Sequence, residues 1–338
     1  MNPYSYDLPP ERIAQRPVHP PDAAKLLIID RAGGQLSSGS FHELPRWLGA
    51  GDLLVFNDTR VLPARFTGTF EDNGGEAELL LVRRLEHGRW LCIGRPLRRF
   101  RPGRAIRLDR LLANVVRRAG EKEVEIRFET GPGEDPETVM KQAGSMPIPP
   151  YIRGGRGDEH DRIDYQTMFA REDGSIAAPT ASLHFTPILM EQMATAGCNV
   201  GFLTLHVGTS SFLPLQLNER NEFSPPGEEI FLVPPELLSR MKRIREAGGR
   251  VIGVGTTVVR ALESAVRGIE EKSTSLFITP GFEFMAVDGV ITNFHQPGTT
   301  HLLLVEALLG RQLLAGAYEY ALQNGYRFLS YGDGMLIL

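Results

Sequence analysis

The segment "GVITNFHQPGTTHLLLVEALLG", residues 289–310, indicates a strand that leads directly into a helix. Residues 289–294 are short, apolar and partly β-branched, whereas apolar residues recur at helical spacing over 302–309. Two histidines, an asparagine and several hydroxyl groups lie between the two elements, around a Pro-Gly pair. The segment therefore predicts an α/β protein with chemically active side chains at the carboxyl end of a buried strand.

Strand and helix patterns alternate over most of the remaining chain. Helices are predicted at 136–144, 186–197, 234–249 and 256–268, and strands at 25–30, 52–58, 198–207, 250–255, 275–281 and 326–338. Thr186 is placed as the N-cap of its helix, with Pro187 at the first helical position and Gly197 after the end. The alternation predicts a mostly parallel sheet with flanking helices.

The pattern changes after Pro63. From there to about Gly131 the chain consists of short strand-like pieces separated by Gly, Asp and Asn, which is typical of a compact all-β unit. We therefore predict a discontinuous α/β catalytic domain, residues 1–62 and 148–338, with an inserted β-barrel-like domain at 63–147.

Composition excludes several classes of protein. The chain of 338 residues is 42% hydrophobic, has no apolar run long enough for a membrane span, and begins without a secretory signal. Cys92 and Cys198 are isolated, which favours neither a disulfide framework nor a zinc site and suits the cytoplasm. No obligate protein partner is implied.

Arginines are concentrated between residues 89 and 118. This stretch holds ten arginines and one acid, a local charge of +9 in a chain whose net charge is −4. Such a stretch is typical of a surface that binds a phosphate backbone, although arginines also decorate the exposed face of ordinary sheets.

Polar residues follow several of the predicted strands, where α/β proteins bind their ligands. They are Asn57 and Arg60, His206, Thr256, Thr257 and Arg260, Asn293 and His295, with Thr180 and His184 just before a helix. Each has an ordinary alternative: a histidine satisfied in the core, Thr256 as an N-cap, Arg260 paired with Glu263, or Asn293 capping a turn.

Several familiar motifs are absent from the sequence. There is no G-x-S-x-G elbow or phosphate-binding P-loop, and Gly253-Val254-Gly255 lacks the rest of a dinucleotide fingerprint. The histidines lack the spacing and carboxylate companions of a metal site, so no metal is predicted. The remaining imidazole, amide and hydroxyl groups suit proton transfer and the binding of a polar organic substrate.

Nine strings in order along the chain resemble the S-adenosylmethionine:tRNA ribosyltransferase-isomerase family of queuosine biosynthesis. They are "YDLPPERIAQRP", "DLLVFNDTRVLPAR", "MPIPPYI", "DYQTMFA", "GSIAAPTASLHFT", "TLHVGTSSF", "GTTVVRALE", "TNFHQPGTTHLLLVEALLG" and "YRFLSYGDGMLIL". The resemblance implies an α/β domain with an inserted barrel. It also implies transfer of the ribosyl part of S-adenosylmethionine, a co-substrate, onto an aminomethyl-deazaguanine wobble base of tRNA. The product is epoxyqueuosine, with release of adenine and methionine.

The resemblance also implies roles for individual residues. Thr180, His184, His206 and His295 match motif positions and are candidates for proton transfer. Arg260 is a candidate ligand of the methionine carboxylate or a tRNA phosphate, and Tyr165 and Gln166 are candidates to touch a base. Asn57, Arg60, Glu222, Thr256, Thr257 and Asn293 complete the predicted substrate site. We expect Arg95, Arg98, Arg99, Arg101 and Arg104 to hold the anticodon arm.

The chain departs from the family pattern at positions near this predicted site. Ser182 and Ser210 stand where the family usually has glycine, "LNERNE" keeps only Glu222 of a longer motif, and Gln296, Gly298 and His301 are unusual. Two alternatives therefore stay open: a diverged paralogue with another acceptor, and a non-catalytic RNA-binding relative.

Overall fold

The computed structural model describes residues 6–208, 227–269 and 273–338, and the chain divides into two compact units. Unit 1 comprises Met1–Arg60 and Gln166–Leu338, and unit 2 is Val61–Tyr165. Within the described ranges, every helix is too short or too polar to span a bilayer. That residues 63–147 fold as a separate domain, inserted between 1–62 and 148–338, stays a prediction.

The first strands of the chain belong mainly to unit 1. They are β1 (Lys25–Asp30), β2 (Gln35–Ser40), β3 (Leu53–Asn57) and β4 (Thr59–Val61). All five residues of β3 are buried, as expected for a strand that is covered on both faces.

Unit 2 contains a closed six-stranded barrel, which confirms the barrel-like fold expected from the broken strand pattern. Its strands are β5 (Arg65–Phe70), β6 (Glu76–Glu86), β7 (Arg89–Arg95), β8 (Ala105–Arg107), β9 (Leu112–Arg118) and β10 (Glu123–Glu129). They pair antiparallel in the order β10-β7-β6-β5-β8-β9, and the pairing of β10 with β9 closes the barrel. Two helices follow, α1 (Pro136–Ala143) and α2 (Asp161–Asp164).

The rest of unit 1 alternates strands and helices. The strands are β11 (Glu172–Ser175), β12 (Asn199–Leu205), β13 (Glu229–Leu232), β14 (Val251–Val254), β15 (Ser273–Thr274), β16 (Gly289–Asn293) and β17 (Gly334–Ile337). The helices are α3 (Pro187–Thr195), α4 (Pro235–Glu246), α5 (Thr256–Val266), α6 (Thr300–Leu309) and α7 (Arg311–Gln323). Thr186 caps α3 as predicted, because its side chain accepts a hydrogen bond from the Leu189 amide.

The main sheet is mixed, so the prediction of a mostly parallel sheet is wrong. Its nine strands run in the order β15-β13-β12-β3-β14-β16-β17-β1-β2. The pairs β12·β3, β3·β14, β14·β16 and β17·β1 are parallel, whereas β15·β13, β13·β12, β16·β17 and β1·β2 are antiparallel. Buried strands look alike in sequence whichever way they pair, and β16 and β17 are both fully buried.

Of two further predicted strands, one is wrong and one is shorter than expected. Residues 275–281 form no strand, since β15 ends at Thr274. Residues 326–338 form a strand only over β17, and Phe328 makes an isolated bridge with Ile13. Pro280 and Gly281 in the first segment, and Gly332 in the second, disfavour regular strand pairing.

Aromatic packing fixes the central part of the sheet. Phe56 on β3 contacts Phe169 and Phe185, with ring centroids 4.3 and 4.8 Å apart. All three rings are buried in a cluster that also includes Phe41. Burial of such rings contributes about 2–3 kcal/mol each, which holds the strand ends described below in a fixed frame.

Candidate functional site

Four parallel neighbours of the sheet, β12, β3, β14 and β16, end along one edge. His206 follows β12, Asn57 ends β3, Thr256 follows β14, and Asn293 ends β16. The side chains that the sequence places after separate strands are thus carried by adjacent strands of one sheet, where α/β proteins bind ligands.

Asn293 joins two of the predicted catalytic residues. Its Oδ1 accepts a hydrogen bond from the Thr180 hydroxyl at 2.8 Å, and its Nδ2 lies 3.3 Å from His184 Nε2. The His184 ring also stacks on Phe41 at 4.0 Å. Burial lowers the pKa of His184 to about 4, with a smaller contribution from Arg327, so the imidazole is neutral at pH 7.

His295 and His301 form a second group. Their rings stack with centroids 5.0 Å apart and an angle of 18° between planes. His295 Nε2 lies 2.9 Å from the Thr292 hydroxyl. Burial, reinforced by His301, lowers the pKa of His295, and burial with the nearby charge of Arg260 lowers the pKa of His301 to about 4. Both rings are therefore neutral bases at pH 7.

His206 stands in an acidic environment. Its Nδ1 lies 2.8 Å from the buried Thr59 hydroxyl. Burial lowers the pKa of His206, while the carboxylates of Glu172, Asp58 and Asp173 oppose that shift. A Cβ on Gly174 would come within 2.8 Å of the imidazole, so glycine is needed for this close approach.

An open, shallow pocket in unit 1 is lined by several of the predicted residues. Its lining comprises Thr256, Thr257, Arg260, Leu276, Phe277, Ile278, Thr300, His301 and Leu304. The first turns of α5 and α6 both contribute to its lining, and the positive ends of the two helix dipoles favour negatively charged ligands. Gly255 precedes α5 with φ +99°, a conformation that favours glycine, so it and not Thr256 occupies the N-cap position.

Sequence reasoning missed part of this pocket. Leu276, Phe277 and Ile278 carry no polar signal, and they follow β15 in a segment without regular structure. The sequence marks His301 as a departure from the family pattern and gives no sign that it belongs to the site. As the second residue of α6, it stacks on His295 in the folded protein.

Arg260 is engaged by protein groups. Its guanidinium forms an ion pair with the buried Glu229 and donates to the carbonyl of Leu276 at 3.1 Å. Glu229 also accepts a hydrogen bond from the Gly208 amide at 3.2 Å. The alternative pairing of Arg260 with Glu263 is wrong, because Glu263 pairs with Arg267.

The side-chain amide of Asn57 is also hydrogen-bonded to backbone groups of the protein. Its Nδ2 donates to the Leu205 carbonyl at 2.9 Å, and its Oδ1 accepts from the amides of Leu205 and Thr59 at 3.0 and 3.1 Å. Nδ2 lies 3.5 Å from the Thr257 hydroxyl. This amide ties β3 to β12, next to the pocket.

Arg60, Tyr165 and Gln166 are not among the residues that line the pocket. Arg60 donates to the Ala170 carbonyl at 2.8 Å and pairs with Asp173. Tyr165 is fully buried in unit 2, and Gln166 is half-buried at the start of the second part of unit 1. Glu222 and Ser210 lie outside the described residues.

Of the ten arginines in residues 89–118, six form side-chain ion pairs or hydrogen bonds with described residues of unit 2 and four do not. Five of them form ion pairs within unit 2: Arg89, Arg104, Arg107, Arg110 and Arg117. Arg118 donates to the carbonyls of Leu97 and Phe100. Within the described part of the chain, the side chains of Arg95, Arg98, Arg99 and Arg101 make no ion pair or hydrogen bond, and three of these, Arg95, Arg98 and Arg101, are exposed. Of the five predicted tRNA ligands, only Arg104 is paired, with Asp72.

Within residues 6–208, 227–269 and 273–338, no three His, Cys, Asp or Glu side chains are grouped so that they could hold a metal ion.

The mixed α/β sheet, the closed barrel and the polar residues at the strand ends belong to a class of protein that is recognised along almost the whole chain. A family model described as "Queuosine biosynthesis protein" matches residues 1–337. The chain is therefore a queuosine-biosynthesis protein by class.

Named relatives define the family more narrowly. The chain is 44% identical to the S-adenosylmethionine:tRNA ribosyltransferase-isomerase of Sphingopyxis alaskensis, over 99% of this chain and 95% of that protein. It is 42% identical to the protein of the same name from Symbiobacterium thermophilum, over 100% and 99% of the two chains. A crystal structure of S-adenosylmethionine tRNA ribosyltransferase from Thermotoga maritima matches with a TM-score of 0.56 and 33% identity, covering 99% of this chain and 100% of that one. This chain belongs to the S-adenosylmethionine:tRNA ribosyltransferase-isomerase family.

Proposed function

We propose that this protein transfers the ribosyl moiety of S-adenosylmethionine to the aminomethyl-deazaguanine wobble base of tRNA and rearranges it. The product is epoxyqueuosine, and adenine and methionine leave. The observation that carries the proposal is the 44% identity that extends over 99% of the chain. A match of that extent includes both the barrel and the polar edge of the main sheet.

The site residues suit the chemistry of this reaction. The positive sulfur of S-adenosylmethionine acidifies the neighbouring C–H, so a neutral imidazole can accept a proton without a metal ion. His206, His295 and His301 all have lowered pKa values and are available as neutral bases. We assign proton transfer to these three, with His295 as the principal candidate.

We propose that Thr180 and His184 hold the side chain of Asn293 in place and do not contact the substrate. Both side chains contact the Asn293 amide, at 2.8 and 3.3 Å, and His184 is 5% exposed. A ring this deeply buried and stacked on Phe41 is better suited to fixing the end of β16 than to contacting substrate.

The pocket at the first turns of α5 and α6 is our proposed site for S-adenosylmethionine. Phe277, Leu276 and Leu304 supply apolar and aromatic surface for a purine, while Thr256 and Thr257 offer hydroxyl groups beside the positive end of α5. Arg260 contributes positive charge to the pocket wall, although Glu229 already neutralises part of it. Asn57 supports this wall through Thr257, whose hydroxyl lies 3.5 Å from its Nδ2. Roles in substrate binding for Asn293, Arg60, Tyr165, Gln166 and Glu222 stay predictions.

The four arginines of residues 89–118 that make no ion pair or hydrogen bond within the described part of the chain are our proposed tRNA contact. Arg95, Arg98, Arg99 and Arg101 carry charges that no described acidic group neutralises. They flank and occupy the short helical turn Leu97–Arg99, which follows β7. Clustered unpaired guanidinium groups bind phosphates and release counterions, which makes binding salt-dependent.

One assay decides among the candidate functions. Purified protein is incubated with S-adenosylmethionine and tRNA that carries the aminomethyl-deazaguanine base, and nucleosides and free adenine are measured by mass spectrometry. Epoxyqueuosine with stoichiometric adenine supports the proposal. Adenine release only with a different acceptor would favour a diverged paralogue. Binding of tRNA without turnover would favour a non-catalytic relative.

Two further properties complete the proposal. We expect turnover to survive dialysis against a chelator, because no step requires a metal ion. We also place the protein in the cytoplasm, where its tRNA substrate is made and where the buried free thiols of Cys92 and Cys198 stay reduced.

A further inference from the structure

The peptide groups of His295 are held on both sides by tyrosines. The Tyr6 hydroxyl donates to the His295 carbonyl at 2.5 Å, and the Tyr318 hydroxyl accepts from the His295 amide at 3.0 Å. Burial raises the pKa of both phenols, so both hydroxyls are neutral at any pH at which the protein is assayed. Tyr6 is 289 positions from His295 in sequence, so this contact connects the start of the chain to the site.

The two tyrosine rings belong to an aromatic group that surrounds the preceding residue. Phe294 contacts Tyr318 and Phe328 at 5.4 and 5.0 Å, and Tyr6 contacts Tyr318 at 5.1 Å in an edge-on arrangement. The packing of the rings and the hydrogen bonds of the hydroxyls are separable, because a phenylalanine would keep the first and remove the second.

The imidazole of His295 has its own contacts. Thr292 approaches Nε2 at 2.9 Å, and His301 stacks on the ring at 5.0 Å. Backbone and side chain are thus fixed by different groups. The tyrosines determine where the residue sits, and Thr292 and His301 determine how its ring is turned.

We propose that Tyr6 and Tyr318 are positioning residues, whose hydroxyls fix the His295 peptide so that its imidazole is correctly placed for proton transfer. The proposal rests on the function proposed above, with His295 as a proton-transfer group. A displacement of about 1 Å at a reacting group can lower the rate roughly 100-fold, so hydrogen bonds remote from the substrate can control turnover.

Tyrosine-to-phenylalanine variants test this role directly. Tyr6→Phe and Tyr318→Phe should each lower kcat roughly 10- to 100-fold, with KM for both substrates changed less than about twofold. Tyr326→Phe is the matched control: its ring also packs on Phe294, at 5.6 Å, but its hydroxyl contacts Ser38 at 2.6 Å. It should leave kcat within about twofold of wild type, and thermal midpoints should identify any variant that is merely unstable.

A second comparison separates positioning from general structural support. In a His295→Ala background, Tyr6→Phe should cause no further loss of kcat, because its effect passes through the missing imidazole. The proposal is overturned if Tyr6→Phe and Tyr326→Phe have the same kcat. It is also overturned if Tyr6→Phe lowers kcat by the same factor with and without His295.

NMR of the histidine rings gives a readout that does not depend on turnover. The ring resonances of His295 should shift in Tyr6→Phe and Tyr318→Phe and stay in place in Tyr326→Phe. Absence of epoxyqueuosine from the wild-type assay would refute the proposed function, whereas unshifted His295 resonances would refute the positioning role whatever the reaction is.

Discussion

Arg260 illustrates how a single side chain can be both a pocket residue and a structural one. It lines the proposed S-adenosylmethionine pocket, yet its guanidinium pairs with the fully buried carboxylate of Glu229. Because Glu229 also accepts from the Gly208 amide, this pair connects α5 to the segment after β12. Removing the arginine therefore leaves a buried charge without its partner.

We expect Arg260→Met to lower the free energy of unfolding by about 3–5 kcal/mol, the cost of breaking a buried ion pair. Urea unfolding measures this change. Lys242→Met is the control, since it removes the same kind of long cation from an exposed pair with Glu246 and should have little effect. A stable Arg260→Met protein with a raised KM for S-adenosylmethionine would show instead that the arginine serves mainly the ligand.

The buried His184 should make the protein sensitive to acid. Its folded pKa of about 4 lies below the unfolded value of 6.5, so between these pH values the unfolded chain binds the extra proton. Stability is therefore unaffected above pH 6.5 and falls as pH drops toward 4, by up to about 3 kcal/mol from this residue.

His184→Gln should flatten this dependence, even though the loss of stacking on Phe41 lowers stability at pH 7. Urea unfolding at pH 7 and pH 5 gives the slope for each protein. His42→Gln, which changes an exposed histidine, should keep the wild-type slope. Equal slopes for wild type and His184→Gln would mean that the pKa of His184 is the same in the folded and unfolded states.

At the scale of elements, local patterns predict the presence of strands and helices better than their pairing. Thr186, Pro187 and Gly197 define α3 because caps and breakers act over a few residues. Strand direction depends on partners far away in sequence. Gly334–Ile337 pairs parallel with β1 and antiparallel with β16, and its short buried run favours neither arrangement.

The same distinction holds for the site. Residues such as His206 and Asn293 are found from sequence because they directly follow buried strands. Phe277 is not found from sequence, because an apolar residue in a loop carries no signal. The ion pair between Arg260 and Glu229 is not found either, because it joins positions 31 residues apart. Glu229 itself lies in a short strand whose role becomes visible only in the fold.

The segment after β7 should be the element of unit 2 most important for RNA binding. The triple variant Arg95→Glu, Arg98→Glu and Arg101→Glu is expected to weaken tRNA binding by roughly 10-fold or more and to flatten its dependence on salt. Filter binding over a series of salt concentrations measures both quantities.

The control reverses two arginines that are already paired, and its loss of binding is compared with that of the triple variant per reversed charge. Arg107→Glu and Arg110→Glu change charges that Glu71 and Glu134 balance in the barrel, and binding should fall less. Equal loss in the two sets would indicate a general effect of net charge, and unchanged binding in the triple variant would exclude this surface as the tRNA contact.

At the scale of the whole molecule, each unit contains one cysteine. Cys92 on β7 is completely buried in the barrel, and Cys198, just before β12, is 9% exposed. Burial raises the pKa of both thiols, to about 11 for Cys198, where the nearby Asp52 adds to the effect. A thiol with a raised pKa is a poor nucleophile until its surroundings open.

We predict that a thiol-specific reagent modifies Cys198 faster than Cys92 in the native protein. Cys198 lies at the beginning of a strand and needs a smaller opening than a side chain inside a closed barrel. The rates are measured by absorbance, with Cys92→Ser and Cys198→Ser to assign each phase. Faster modification of Cys92 would mean that the barrel opens more readily than the sheet.

These two thiols are natural reporter sites, one in each unit, for footprinting the unlabelled wild-type protein with a thiol-specific reagent. A ligand that binds only the folded form of a region suppresses the opening of that region in proportion to its saturation. Protection of Cys92 by tRNA alone, and of Cys198 by S-adenosylmethionine alone, would map each substrate to its unit without a crystal of the complex.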